Sequence, residues 1–417
     1  MKIQNINIKE IKPYEKNAKI HPKKQIEQVA NSIKRFGWVQ PLVVDKDNNL
    51  IIGHCRLLAA KLLDIKEVPT LRVENLSEQE IRALRLADNK LNESEWDMDL
   101  AIEELKELPE EIFNLTGFDK ELLITDDPKD DELPEDVRKE TKLGDIYEFN
   151  GHRLKCGDST NKEDIDDLMG NDSANVVFTS PPYNMGTKMY KNYSDNLKDE
   201  EYIDFNIKVI ENVKRYLKGF LFWNISYNKN TRDGFIKIIY RIIQETGLKF
   251  LELIIWNKKH GIPITSNKLL TRQYEDILLV GDENSIKEDI DMYFCGSNQQ
   301  AVFNKKTMKG VSNYWEIGTN DTQLDTHKAC FPVALPTKGI ILMSKEGDIV
   351  LDPFMGSGST LIAGVKTNRK VYGMELSPEY CDISIQRYVN YTGNNKIKKN
   401  GKEIIWKQED QQKKAMK

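Results

Sequence analysis

Residues 176–186 read VVFTSPPYNMG, and this stretch joins a run of apolar, mostly β-branched residues to a rigid polar tip. The apolar part reads as a strand buried on both faces. Pro181 and Pro182 end it, because proline can neither donate to a sheet ladder nor continue a helix. The tip therefore offers the Ser180 hydroxyl, two rings of fixed φ, the Tyr183 phenol and the Asn184 amide.

Similar runs recur on either side. NVVFTS, GFLFWNI, FLELIIWNK, DILLVG, DIVLDPF and KVYGMEL alternate with helical patterns between residues 141 and 395. Nearly continuous apolar strands separated by helices predict an α/β fold with a parallel, doubly wound, Rossmann-like sheet.

DIVLDPFMGSGSTLIAGV, residues 348–365, reads as strand, glycine turn and helix. Gly356 and Gly358 allow a tight turn and a close ligand approach. Ser357, Ser359 and Thr360 can cap the helix that follows. That helix start presents free N–H groups and the positive end of its dipole. About 20 residues on, the strand KVYGMEL ends in Glu375, where an acid is placed to bind ribose hydroxyls. The turn lacks GxGxxG, and Asp352, Pro353 and Phe354 crowd the space a pyrophosphate needs. An adenosine-type cofactor without a pyrophosphate follows, S-adenosyl-L-methionine rather than NAD.

TSPPYN (179–184) together with DPFMGSGST (352–360) resembles the DNA amino-methyltransferases, which methylate cytosine N4 or adenine N6. The catalytic segment precedes the cofactor segment, which is similar to the permuted, beta-type order with a target-recognition region between the two. The resemblance covers about 250 residues. It implies that Asp158 in LKCGDS contacts the cofactor adenine. It also implies that HKACFPVALP, with Phe331, helps hold the methionine end. Asp352, Phe354, Gly356, Ser357, Gly358 and Glu375 complete the cofactor set.

An exocyclic base amine is a poor nucleophile, because its lone pair is conjugated into the ring. The site must accept its hydrogens and align it, which is catalysis by positioning and oriented dipoles. Ser180 and the carbonyl of Pro181 can accept, Pro182 stiffens the loop, and Tyr183 can stack on the base. Asn184 can hold the loop or touch the donor. The base must be flipped out of double-stranded DNA to reach such a pocket. Within the resembling family, serine before Pro-Pro accompanies cytosine N4 more often than adenine N6. Residues 185–326 are expected to read the target, with MYFCGSNQQAVFNKKTMKGVSNYWEI (292–317) suited to base edges and phosphates.

Residues 1–90 predict a smaller α/β module. QIEQVANSIKRFG has helical spacing and stops at Gly37, VQPLVVD and VPTLRVEN read as strands, and Ser77 and Glu80 form a capping-box pattern. This module resembles the N-terminal domain of ParB chromosome-partition proteins, related in fold to sulfiredoxin. The resemblance implies a nucleotide-phosphate site at Gly53, His54 and Arg56, although Cys55 stands where that family carries an arginine. An accessory role in engaging DNA or a partner is expected.

Residues 91–140 read as an acidic linker with short helices at MDLAIEELKEL and FDKELLI; 93–140 carry 19 acids against 5 bases. TDDPKDDELPED is too polar to bury a core of its own. By contrast, 185–275 carry 16 bases against 10 acids, with interleaved aromatics. Residues 396–417 read as a basic tail that can add a strand at EIIW.

Of 417 residues, 39% are hydrophobic and 30% charged, as in a soluble globular chain. No stretch approaches a membrane span, and the N-terminus lacks the pattern of a secretory leader. Five scattered cysteines without a CxxC pair suit a reducing cytoplasm. His260 and His327 lack partners at ligand spacing, so no metal is expected. Without a nuclease motif, any restriction partner would be a separate chain. The readings that compete with a DNA methyltransferase are an RNA base methyltransferase and a nucleotide-gated, ParB-like DNA-binding protein with an inactive methyltransferase fold.

Overall fold

The computed structural model describes residues 2–14, 19, 21–91, 98–118, 123–124, 127–134, 137–184, 196–227, 232–259, 273–282, 312–318 and 330–406. Two compact units divide the chain, Met1–Leu123 and Ile124–Lys417.

The first unit carries a four-stranded sheet. Its strands are β1 (Ile3–Asn7), β2 (Leu42–Val44), β3 (Leu50–Ile52) and β4 (Glu67–Arg72), in the order β1-β4-β2-β3. Only β2 and β4 pair parallel. Helices α1 (Lys23–Phe36), α2 (His54–Leu62) and α3 (Glu78–Leu91) accompany it. Ile6, Leu42, Val44, Leu50, Leu57 and Val68 form its core. Gly37 stops α1 at φ 79°, as expected. At α3 the Ser77 N–H donates to Glu80 at 2.7 Å and the Glu80 N–H returns to the Ser77 hydroxyl at 3.3 Å. The unit also takes in α4 (Met98–Lys106) and α5 (Glu110–Phe113). Most of FDKELLI lies outside the described residues.

The second unit is built on an eleven-stranded sheet. Its strands are β5 (Ile146–Phe149), β6 (His152–Cys156), β7 (Ala174–Thr179), β8 (Leu217–Ile225), β9 (Lys249–Asn257), β10 (Tyr274–Gly281), β11 (Tyr314–Glu316), β12 (Ile349–Asp352), β13 (Lys370–Glu375), β14 (Lys396–Lys399) and β15 (Lys402–Ile405). The order is β11-β9-β10-β8-β7-β12-β13-β6-β5-β14-β15. Alternate residues of the central strands feed two cores. Val177, Leu221, Trp223, Leu351 and Tyr372 pack on one side with residues of α6 (Lys162–Met169), α7 (Asp199–Lys214) and α8 (Arg232–Glu245). Val176, Phe178, Phe222, Val350 and Val371 pack on the other with residues of α9 (Ala334–Met343), α10 (Ser359–Lys366) and α11 (Pro378–Thr392). Each fully buried side chain of this kind contributes about 1.5–3 kcal/mol. The sheet is thus the centre of three layers, as a doubly wound fold requires.

Strands β8, β7, β12, β13 and β6 are parallel. The expectation that every apolar run joins a parallel sheet fails at β10, which lies antiparallel between β8 and β9. An apolar run reports burial on both faces and is silent on direction. The chain leaves β7 toward β8 but leaves β12 toward β13, and β7 and β12 are neighbours. That reversal opens a crevice at their carboxyl ends.

One further segment differs from expectation. Residues 127–131, read as linker, pack on the second unit. Lys366 pairs with Asp130, Arg387 donates to the Asp130 carbonyl at 2.8 Å, and the Val333 N–H donates to Asp131 at 2.7 Å. Acids paired to buried cations need no apolar area to dock. At the other end, the strand expected at EIIW is present as β15, which with β14 extends the sheet, and Trp406 is buried with its indole N–H on Gln386 at 3.0 Å.

Candidate active site

The tip of β7 and the turn after β12 meet at the crevice. The Thr179 hydroxyl donates to Asp352 at 2.6 Å, tying one strand end to the other. Asp352 is fully buried and also accepts the Phe354 N–H at 3.0 Å. Burial pushes its carboxyl up to about 6.

Beyond Thr179 the chain turns outward. Pro181 is buried, while Ser180, Pro182 and Tyr183 are half-buried. The Tyr202 hydroxyl holds the Pro182 carbonyl at 2.7 Å. Asn184 adopts φ 55° and exchanges two side-chain bonds with the backbone of Leu197, at 2.8 and 2.7 Å. These bonds are of the kind expected of a residue that holds the loop.

Ser180 and Tyr183 share a bond of 2.7 Å between their hydroxyls. Tyr183 donates to Glu275 at 3.0 Å, and Asn224 donates to Tyr183 at 2.7 Å and to Glu275 at 3.1 Å. Lys258 pairs with the other oxygen of Glu275. Burial, and then the Glu275 charge, push the Tyr183 phenol well above its usual range, so it stays protonated. Its hydroxyl end is enclosed while part of the residue remains accessible, which suits a ring that stacks on a planar ligand.

The sequence reading missed Asn224, Glu275 and Lys258. Asn224 is the penultimate residue of β8, and β10, being reversed, carries Glu275 as its second residue at the same edge. Glu275 stands opposite Trp256 of β9, and Lys258 follows that strand. A polar residue at the end of each apolar run was the available signal.

The glycine turn lies beside this cluster. Gly356 and Gly358 take φ 53° and 89°, and a Cβ on Gly358 would meet Ser384 at 3.0 Å. Glu375, at the end of β13, accepts the Gly356 N–H and the Ser377 N–H, each at 2.8 Å. Burial pushes this carboxyl up to about 7, against the pull of those two N–H groups. Each of its oxygens keeps a lone pair for a hydroxyl donor. Asp158 follows β6 and accepts from the Thr160 N–H and hydroxyl at 2.8 and 2.9 Å. Ser357 donates to Cys330 at 3.1 Å, and Ser359 donates to the Phe331 carbonyl at 2.8 Å. The Phe331 ring stands edge-on to Phe178 at 5.8 Å, and Phe354 packs between Phe205 and Trp223 at 5.8 and 6.1 Å.

Every catalytic and cofactor residue expected in the second unit therefore lies at the carboxyl edge of β6, β7, β12 and β13 or in the loop before α9. Of residues 185–326, expected to read the target, 185–195, 228–231, 260–272, 283–311 and 319–326 lie outside the described residues, as do His260 and His327. Among the described residues no cluster of His, Cys, Asp or Glu could hold a metal, and no helix is long and apolar enough to cross a membrane.

In the first unit Gly53 starts α2 at φ 102°, with Arg56 donating to Gln40 at 2.6 Å. Burial, and then the charge of Arg85, hold the His54 ring down at about 4.

Residues 174–386 match the family described as DNA methylase, of the N6/N4 type, and residues 1–90 match the ParB N-terminal domain. The Type II methyltransferase M.HpaI of Haemophilus parainfluenzae is 30% identical over 225 residues, 52% of this chain and 68% of that enzyme. The Type II methyltransferase M.BglII of Bacillus subtilis is 28% identical over 233 residues, 51% of this chain and 63% of that enzyme. The ParB-like nuclease domain-containing protein YnaK of Escherichia coli is 35% identical over 80 residues, 19% of this chain and 92% of that protein.

Proposed function

The chain belongs to the N6/N4 DNA methylase family, and on that premise we propose that it methylates the exocyclic amine of a base flipped out of double-stranded DNA, with S-adenosyl-L-methionine as donor. The observation that carries the reading is the adjacency of two groups of residues. The Ser180–Tyr183–Asn224–Glu275 cluster and the Asp352–Gly358 turn occupy one crevice, joined by the bond from Thr179 to Asp352.

The crevice fits the cofactor. The two left-handed glycines leave two positions of the turn without side chains, and the Glu375 carboxylate retains acceptor capacity suited to a ribose diol. Glu375 would hold the ribose and Asp158 the adenine. Phe331, Phe354 and the turn Asp352–Gly358 would enclose the remainder. Bound there, the cofactor supplies a methyl group already activated on a sulfonium. The protein's own task is then to hold the amine. Ser180 and the Pro181 carbonyl accept its hydrogens, Pro182 keeps the loop stiff, and the Tyr183 ring stacks on the base. Ser180 in the place of aspartate favours cytosine N4 over adenine N6. The basic composition of 185–275 supports an anionic polymer as substrate. The ParB-like unit is read as an accessory module that engages DNA or a nucleotide, and the protein as cytoplasmic.

The test is transfer of labelled methyl to duplex DNA, followed by digestion to nucleosides and mass spectrometry. N4-methylcytosine is expected. N6-methyladenine would overturn the base assignment, and transfer to RNA alone would overturn the substrate.

A further inference from the structure

We infer that Glu275 is a positioning residue that fixes the direction of the hydrogen-bond chain through Tyr183, so that Ser180 meets its substrate only as an acceptor. The inference rests on the proposed methyl transfer and assigns a selectivity to it.

The argument is an accounting of hydrogens. Glu275 is held as an ion pair by Lys258, and a carboxylate only accepts. The bond at 3.0 Å from Tyr183 to Glu275 therefore uses the one phenolic hydrogen. The Tyr183 oxygen has two lone pairs left. Asn224 donates into one at 2.7 Å. The other faces Ser180 at 2.7 Å, so the Ser180 hydroxyl must be the donor in that bond. Asn224 cannot reverse the scheme. Turning its amide would aim an oxygen at the Glu275 carboxylate, now 3.1 Å from its nitrogen. That cost holds the amide in place even though its own oxygen has no partner among the described residues.

With its hydrogen committed inward, Ser180 keeps lone pairs for the crevice. Asn224 approaches one only at 3.4 Å. A ring edge bearing an amine can donate to the other. A ring edge bearing a carbonyl would set oxygen against oxygen, and a buried mismatch of this kind discriminates strongly. The device thus selects the amino bases from the keto bases before any chemistry occurs. Neither Glu275 nor Asn224 needs to touch the base for this.

Glu275→Gln tests it, because a glutamine can donate as well as accept and so releases the direction. Methyl transfer to mixed-sequence duplex DNA is measured for the wild type, Glu275→Gln, Tyr183→Phe and the double variant. Melting temperature and calorimetric donor binding serve as controls. Glu275→Gln is expected to lower kcat by about 10- to 100-fold with the KM for the donor unchanged. Since Glu275 acts through the Tyr183 hydroxyl, the double variant should be no slower than Tyr183→Phe alone. A kcat for Glu275→Gln within twofold of wild type, or losses that multiply in the double variant, would overturn the inference. If instead the wild type transfers no methyl to DNA, it is the proposed function that fails.

Discussion

The carboxylate of Glu375 accepts the backbone N–H of Gly356 at 2.8 Å, so the acid that ends β13 also pins the glycine turn that follows β12. Two expected cofactor contacts are thereby one mechanical unit. Glu375→Gln keeps an oxygen for Gly356 and loses the charge that would bind a ribose diol. Hydrogen bonds to a charged group are worth about 1.5–3 kcal/mol, so donor affinity should fall about 10- to 100-fold. Calorimetry with S-adenosyl-L-methionine reads this, and unchanged affinity would remove Glu375 from the ribose role.

Burial raises two carboxyls in this turn, Glu375 to about 7 and Asp352 to about 6, from ordinary values of 4.5 and 3.8. Between those limits the folded chain binds more protons than the unfolded one. Their contribution to the ligand-free fold is thus complete below the ordinary values and is lost as pH rises through 6 and 7. Glu375→Gln removes the larger of the two effects. The wild type should therefore lose melting temperature relative to the variant between pH 4.5 and 8. A difference that does not change with pH would contradict the burial argument.

How much of this was readable in advance follows from distance along the chain. SPPYN and DPFMGSGST are contiguous, and Glu375 lies at a fixed spacing from the glycines, so each could be assigned locally. Asn224, Glu275 and Lys258 come from three strands, and they converge because β10 runs backward between β8 and β9. Nothing in the run DILLVG states its direction. The docking of residues 127–131 escaped for a related reason. Its partners, Lys366 and Arg387, stand more than 200 positions away.

The two glycines of the turn should respond unequally to alanine. Gly358 takes φ 89°, and an added Cβ would crowd the Ser384 side chain and backbone at 3.0–3.3 Å. Gly356 takes φ 53°, with no atom nearer than 3.9 Å. Backbone strain in the left-handed region costs about 1–3 kcal/mol, and Gly358→Ala adds the contact to it. Denaturant unfolding should place Gly356→Ala within about 1–2 kcal/mol of wild type and Gly358→Ala clearly below it. The reverse order would mean that Ser384 yields and that φ alone decides.

Arg387 joins the cofactor turn to the acidic segment in front of it. It donates to the Ser357 carbonyl at 3.1 Å and to the Asp130 carbonyl at 2.8 Å, and it lies 3.7 Å from the Asp131 carboxylate. Its side chain is 4% exposed and that of Asp131 10%, so neither charge can turn to water. Arg387→Met fills the space but breaks the Arg387–Asp131 pair, and breaking a buried pair costs about 3–5 kcal/mol. Arg387→Lys should recover little, because one ammonium on a flexible stem cannot reproduce the planar fork that spans both segments. Donor affinity should fall with stability, since Ser357 belongs to the turn that would enclose the cofactor. Urea unfolding and calorimetry on the full chain read the two effects. Stability within about 1 kcal/mol of wild type in Arg387→Met would show that the acidic segment rests on the turn without bracing it.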